Sequence, residues 1–363
     1  MKNILYTSGL LVALGTTTLY ADQFAAAPGT KARSMGYAFS AVANNSSALY
    51  YNPAGFVSDS KYSVFTLEGG TASSWDETDN NDAFSSDTQY FIGGGSFTPE
   101  GGWGFAIYSL YDIYFTEQYD NGYDTSRAAH QSNEVIHWAG SWRLHERFSM
   151  GLGVGYVTKI FSSDTNEDEN GYETAKSHNG YSLVEYDSYG GFFQFGLLAD
   201  VLKDDETGNK LTLSYTYRSE ADMKEKSVDN DYGYSTTIGV EPFDLPEEQV
   251  IGAAIHYATA AASFLITYDI KTTTYTYPEF ASSDTTAMGI EIGFEGLSFR
   301  AGAYESTPQN SDYSEALEVK GTTYGINKQF GNVFAIEFAV DNRKMDGIDS
   351  DNTFSSLSLN FVL

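Results

Sequence analysis

Lys159, Arg218 and Arg300 are the residues of this chain whose type and spacing suit them to hold a ligand. Each lies in a stretch where apolar and polar residues alternate, and each falls on the polar parity of its stretch. Successive side chains of an extended chain point to opposite faces, so the three cations share the face turned away from the apolar one. A cation shielded from water on such a face can grip an anionic head group through charge-assisted hydrogen bonds. Arg143, Glu291 and Asp112 fall on the same face, so carboxylate–cation pairing competes for these groups. Arg218 has acidic neighbours of its own, and the three cations rank equally as anchors.

Catalytic chemistry is poorly supplied. His residues number only 5 and no Gly-x-Ser-x-Gly turn occurs. His137 falls inward beside Trp138 and Trp142, as a structural side chain would. Gly151, Gly153 and Gly155 have nucleotide-fold spacing, but no helical pattern follows them. Asn166, Asp168, Asn170 and Gly171 imitate the start of a calcium loop, yet Ser177 stands where a bidentate Glu belongs. The Cys count of 0 removes thiolate metal sites and disulfides. The chain is therefore expected to be no enzyme, with no cofactor and no metal. A net charge of -29 excludes nucleic acid as a partner, because an acidic surface repels phosphates.

The elements that must position these residues are strands. In Ser356–Leu363 the odd positions Leu357, Leu359, Phe361 and Leu363 are apolar, while Ser356, Ser358 and Asn360 are polar. Comparable segments recur from residue 61 onward, including 88–98, 103–117, 132–144, 148–162, 186–202 and 209–222. Segmentation gives about fourteen, an even number, as a closed single-chain barrel requires. The connections alternate: 73–87, 118–131, 163–185, 223–247 and 343–352 are among the long ones, while 99–102, 145–147, 203–208 and 259–261 are short. That alternation belongs to a transmembrane antiparallel β-barrel whose long loops face outward and whose two ends are periplasmic. Tyr 28, Phe 24 and Pro 7 suit strands and aromatic girdles. Lys2, the short apolar run Leu10–Leu14 and Ala21 make 1–21 an export signal, too short to span a bilayer. The division expected is a signal peptide at 1–21, an N-terminal hatch at 22–60 and the barrel at 61–363, with the cell outer membrane of a Gram-negative bacterium as its location. Acidic runs at 76–82 and 164–169 read as solvated loops, or as a divalent-cation bridge to lipopolysaccharide. Outer-membrane lipid is the surrounding partner, and a monomer is expected.

Residues 22–60 do not alternate. The Ala-rich run Arg33–Ala43 suits a short helix, and Asn52-Pro53-Ala54-Gly55 is a tight turn expected to set the resting state of the hatch. Small inward residues such as Gly151, Gly153 and Gly155 leave room for this segment inside the barrel. A side exit through the wall needs locally broken pairing, and Gly93-Gly94-Gly95 in the second strand is the candidate.

Arg33-Ser34-Met35-Gly36-Tyr37-Ala38-Phe39, followed by Asn44-Asn45-Ser46-Ser47-Ala48-Leu49-Tyr50-Tyr51-Asn52-Pro53-Ala54-Gly55-Phe56, resembles the hatch segment of the FadL/TodX family. Leu213–Glu220, Leu245-Pro246 and Phe299–Pro308 resemble three further pieces of that family, in order along the chain. The resemblance implies a fourteen-stranded barrel with a luminal hatch, a result the strand count reaches independently. It further implies passive uptake of long-chain fatty acids or other hydrophobic molecules such as hydrocarbons, with hatch movement opening a lateral exit. The Asn-Pro-Ala-Gly turn also occurs in related barrels, so a secretion-accessory or structural outer-membrane protein is the alternative.

Overall fold

A computed structural model describes residues 27–78, 81–110, 112–120, 124–167, 182–204, 206–230, 245–275, 282–309, 318–345 and 348–363. The expected signal peptide lies outside the described residues. No helix among them is long and apolar enough to cross a membrane. The chain instead builds strands β1 Tyr62–Thr78, β2 Asn81–Phe97, β3 Gly101–Tyr108, β4 Asp112–Asp120 and β5 Asp124–His145. Next come β6 Phe148–Glu167, β7 Ser182–Lys203, β8 Lys210–Arg218, β9 Lys224–Asn230, β10 Glu247–Ala258 and β11 Ser263–Thr274. The series ends with β12 Ser283–Phe294, β13 Leu297–Pro308, β14 Val319–Phe330, β15 Phe334–Met345 and β16 Ile348–Val362.

All neighbours pair antiparallel, and β1 pairs with both β2 and β16, which closes the sheet into a barrel. Both β3 and β4 pair with β2 on one side and β5 on the other, so together they form one stave interrupted after Tyr108. Likewise β8 and β9 pair successive parts of β7 and form a second interrupted stave. The barrel therefore has fourteen staves. The segments 103–117 and 209–222 were each expected to be a single unbroken strand, and each contains an interruption. At the first break side chains meet freed backbone groups, and at the second Ser219 N and Ala221 N donate to Phe193 O and Leu245 O. Leu110 N donates to Asn133 Oδ1 at 2.8 Å, and Gln89 Nε2 donates to Leu110 O at 2.5 Å.

Several strands also run beyond the expected boundaries. The connections expected at 73–87 and 118–131 are largely strand, and 163–185 and 343–352 are partly so. Alternation marks only the part of a stave that faces lipid; past that level both faces meet water and the pattern has no reason to persist. Within the belt the alternation holds. Ile266, Tyr268 and Ile270 are exposed on the outer face of β11, while Leu265, Thr267 and Asp269 are buried on the inner one. Trp138 is exposed outward, whereas His137 packs inward on Phe192 and shares a hydrogen bond of 3.2 Å between its Nδ1 and the Tyr108 hydroxyl.

Residues 27–57 lie within the ring, because they touch staves all the way around it. The Ala-rich run is not a helix: the helices are α1 Thr30–Arg33 and α2 Ala48–Tyr51, followed by a 3-10 turn at Pro53–Phe56. Positive φ at Gly36, Tyr37 and Ala43 breaks the intervening chain into turns. Wall carboxylates hold it. Glu68 on β1 accepts Gly29 N at 3.0 Å and Thr30 N at 2.7 Å. Asp269 on β11 accepts Phe39 N at 2.9 Å, Ser40 N at 2.9 Å and Ser40 Oγ at 2.8 Å. Asp341 on β15 accepts Tyr37 Oη at 2.7 Å.

Inward glycines clear the space. A methyl at Gly302 would sit 2.2 Å from Gly36 N, and one at Gly151 would sit 2.3 Å from the Pro53 carbonyl carbon. Gly153 and Gly155 instead clear His137 and the Phe192 ring, so only the first of those three glycines makes room for the segment. Gly151→Leu is expected to cost about 1–3 kcal/mol of strain, relieved by pushing the segment off the wall. Planar-bilayer conductance should then rise above that of the unaltered chain; unchanged conductance with unchanged stability would contradict this seating.

Candidate functional site

Asn52 organises the turn at Asn52-Pro53-Ala54-Gly55. Its Oδ1 accepts Ala54 N at 3.0 Å, capping the 3-10 turn, and its Nδ2 donates to Ser40 O and Leu197 O, both at 3.0 Å. One side chain thus ties the turn to itself, to the preceding chain and to β7. Pro53 presets the turn, and Ala54 O accepts Ser149 Oγ from β6 at 3.3 Å. A methyl on Gly55 would lie 2.0 Å from Ala43 O, so the backbone approach there requires Gly.

Between this segment and the long-connection end of the barrel lies a cavity of about 180 Å³. Tyr37, Tyr50 and Tyr51 form its floor, and Leu110, Leu245, Pro246, Val250 and Val319 supply apolar wall. Arg218, Glu248 and Lys271 stand together on adjacent staves. Arg218 Nη2 is 3.0 Å from Glu248 Oε2, and Lys271 Nζ is 3.4 Å from Glu248 Oε1. Two cations share one carboxylate, which leaves an excess positive charge beside an apolar chamber. The guanidinium also rests on aromatic faces, 5.0 Å from the Tyr50 ring and 5.8 Å from Phe192. Arg218 Nε, Gln194 Oε1 and Tyr51 Oη are buried without a hydrogen-bond partner among the described residues, and all three residues line this cavity. An unpaired buried polar atom costs about 1–3 kcal/mol, so three on one chamber form a set of donors and an acceptor suited to a polar head.

The three expected anchors are not brought together. Arg218 lines the cavity, whereas Arg300 and Lys159 do not. Arg300 is engaged by Glu291 through Nε and by Glu337 at 3.1 Å, with Lys31 Nζ 3.9 Å from the same Glu291 oxygen. Lys159 is buried between Asn133 on β5 and Ser188 on β7. The side chain of Asp112 lies outside the described ones. Sequence reasoning missed Lys271, Gln194 and Tyr51. Gln194 carried a signal, since it is the polar member of an otherwise aromatic and glycine run, Gly191–Gly196.

Pairing is continuous through Gly93-Gly94-Gly95: Gly93 faces Thr66 and Ala106, Gly94 faces Phe65 and Phe105, and Gly95 faces Val64 and Gly104. The break expected at these glycines is therefore absent there. Gly95 instead clears Phe56 of the 3-10 turn, whose ring would stand 2.5 Å from an added methyl. The interruptions lie after Tyr108 and after Arg218, and Leu110 and Arg218 beside them both line the cavity.

Below the segment, Asp59 joins it to the short-turn end. Its carboxylate meets Arg143 Nη1 and Lys203 Nζ, each at 3.0 Å. Partial burial pushes this carboxyl up, but the two cations outweigh it and hold it below the ordinary Asp value. A depressed folded value stabilises above the unfolded value of about 3.9 and is lost as pH falls through the folded one. Leak conductance of the unaltered chain should thus gain a component only below about pH 4, and Asp59→Asn should show that component at every pH. Identical profiles for the two would remove Asp59 as a latch.

No family model matches this sequence, and no curated protein does. Solved structures match its fold. A "TodX monoaromatic hydrocarbon channel" variant superposes with a TM-score of 0.60 at 13% identity, over 93% of this chain and 97% of that one. The CymD monoaromatic hydrocarbon channel gives 0.60 at 11% identity over 92% and 97%. A Pseudomonas aeruginosa FadL homologue gives 0.57 at 12% identity over 90% and 96%. The chain has the fold of these channels over 90–93% of its length.

Proposed function

We propose that this protein is a FadL/TodX-type outer-membrane channel that takes up hydrophobic small molecules, long-chain fatty acids or hydrocarbons, by passive diffusion. The observation that carries the reading is the cavity: a chamber inside a closed barrel, floored by the N-terminal segment, with apolar wall from Leu110, Leu245, Val250 and Val319 and with Arg218, Lys271, Tyr51 and Gln194 among its polar groups. Known proteins of the same fold bear the names of monoaromatic hydrocarbon channels and a FadL homologue. Residues 22–60 act as the hatch, residues 1–21 direct export, and the barrel works as a monomer among outer-membrane lipid and lipopolysaccharide.

Solute leaves sideways. Release straight into water would cost about 25 cal/mol for every Å² of apolar surface wetted, whereas a side exit keeps that surface in lipid. The break after Tyr108 is the place for it, because Leu110 faces both the break and the cavity. Gln89 and Asn133, which hold the Leu110 backbone, act as its closure. Of the expected head-group anchors, Arg218 fills the role, and Lys271 joins it.

Arg218→Met and Lys271→Met are each expected to weaken binding of radiolabelled oleate to the purified barrel about tenfold, which is about 1.4 kcal/mol. Toluene binding should change less than twofold. Equal oleate affinity in both variants would exclude this cation pair as the anchor. Cells making the unaltered chain should also take up oleate or toluene faster than cells lacking it, and equal rates would refute the transport reading.

A further inference from the structure

The stave formed by β8 and β9 has a thin place of its own. Ser219–Met223 leave the ladder, and β9 pairs only with β7 among the described residues. Opposite them, Gly190, Gly191 and Phe192 pair with Val157, Tyr156 and Gly155 on β6. On the other side they face the interruption, since pairing with β8 resumes at Gln194 and pairing with β9 at Tyr189. Among the described residues, one bridge reaches the gap from β10's side, Ala221 N donating to Leu245 O at 3.0 Å.

The freed chain turns inward. A methyl at Gly190 would lie 2.8 Å from both Asp222 O and Met223 Sδ. Ala221, Met223 and Leu245 are consequently buried, in one apolar cluster with Leu110 and Phe192. The outer face is different in kind. Gly191 is exposed, and a methyl there would meet nothing closer than Gly155 O at 3.5 Å. Aromatic rings frame this bare spot: Tyr156 and Tyr189 lie 6.2 Å apart, and Phe193 and Tyr217 lie 5.5 Å apart.

We propose that Gly191 and the Ser219–Met223 bend form a second side window, separate from the break after Tyr108, through which apolar molecules pass between surrounding lipid and the cavity. The proposal rests on the transport reading. Its outer mouth is a glycine gap ringed by aromatics, the residue class that settles at a membrane interface. Met223, Ala221 and Leu245 are its inner stopper; the thioether chain is unbranched and repacks easily. Leu245 of the stopper lines the cavity, as do Pro246 and Arg218 behind it. The molecule it suits is a neutral hydrocarbon or an apolar tail, for which a passage lined by Met, Ala and Leu needs no hydrogen bonds.

The test is Gly191→Trp, which places a ring over the outer mouth in open space, compared with Thr322→Trp on the exposed outer face of β14. Initial uptake of radiolabelled toluene by cells should fall about twofold in Gly191→Trp, because the break after Tyr108 still carries solute, while toluene binding to the purified barrel is unchanged. Thr322→Trp should leave both unchanged. Met223→Ala, which thins the stopper, should raise the uptake rate at least twofold and decides the matter if Gly191→Trp fails to assemble. Unchanged uptake in an assembled Gly191→Trp barrel, or in Met223→Ala, overturns the window. If the unaltered chain confers no toluene uptake at all, the transport reading fails first and the window falls with it.

Discussion

A strand in hydrocarbon must have every backbone N–H and C=O paired, because each unpaired group costs several kcal/mol there. The rest of this structure depends on that constraint. It forces β1 to meet β16, and closure creates a lumen that must itself be filled or wetted. The lumen's polar side chains are cheap to keep only when paired, and the N-terminal segment supplies many of the partners. Glu68, Asp269 and Asp341 would be costly buried charges in an empty apolar tube. Here they receive Gly29, Thr30, Phe39, Ser40 and Tyr37.

The same constraint makes the two interruptions informative. A break is tolerated where other groups take over the backbone. After Tyr108 this is done by Gln89 and Asn133; after Arg218 it is done by Ser219, whose N–H and hydroxyl serve Phe193, and by Leu245. Each break is stopped from inside by buried apolar side chains of one cluster, Leu110 in the first and Ala221 and Met223 in the second. Another group of charges, Arg300 with Glu291 and Glu337, and Arg343 with Asp341, lines β12 to β15. Ion pairs also flank the second break, where Arg218 and Lys271 share Glu248.

Much of the fold was legible in the sequence because lipid imposes period-two alternation on every stave. That is why the stave count and the inward parity of Lys159, Arg218 and Arg300 follow from pattern alone. The same physics explains the errors. Alternation ends at the edge of the lipid belt, so the polar extensions of β1, β2, β5 and β6 read as loops. The interruptions after Tyr108 and at 219–223 keep the pattern on both sides, so alternation does not reveal them. The glycine run at 93–95 drew attention as a break, yet its role is clearance for Phe56 and Ala106. Site residues were the least legible. Arg300 and Arg218 have the same parity and residue type and both meet carboxylates, and only their placement around the lumen decides that Arg218 lines the cavity and Arg300 does not. Tyr51 and Gln194 matter through their distance from other groups, a property that no local pattern encodes.

The central claim is that the chamber above Tyr37, Tyr50 and Tyr51 holds an apolar small molecule. The most direct measurement is mass spectrometry of small molecules that stay with the barrel through purification, compared with an unrelated barrel prepared in the same detergent. The account predicts a near-stoichiometric apolar or amphiphilic species on the unaltered chain, depleted when the chamber is filled by Val250→Trp. An identical set of retained molecules on the unaltered chain, the filled variant and the unrelated barrel would contradict it.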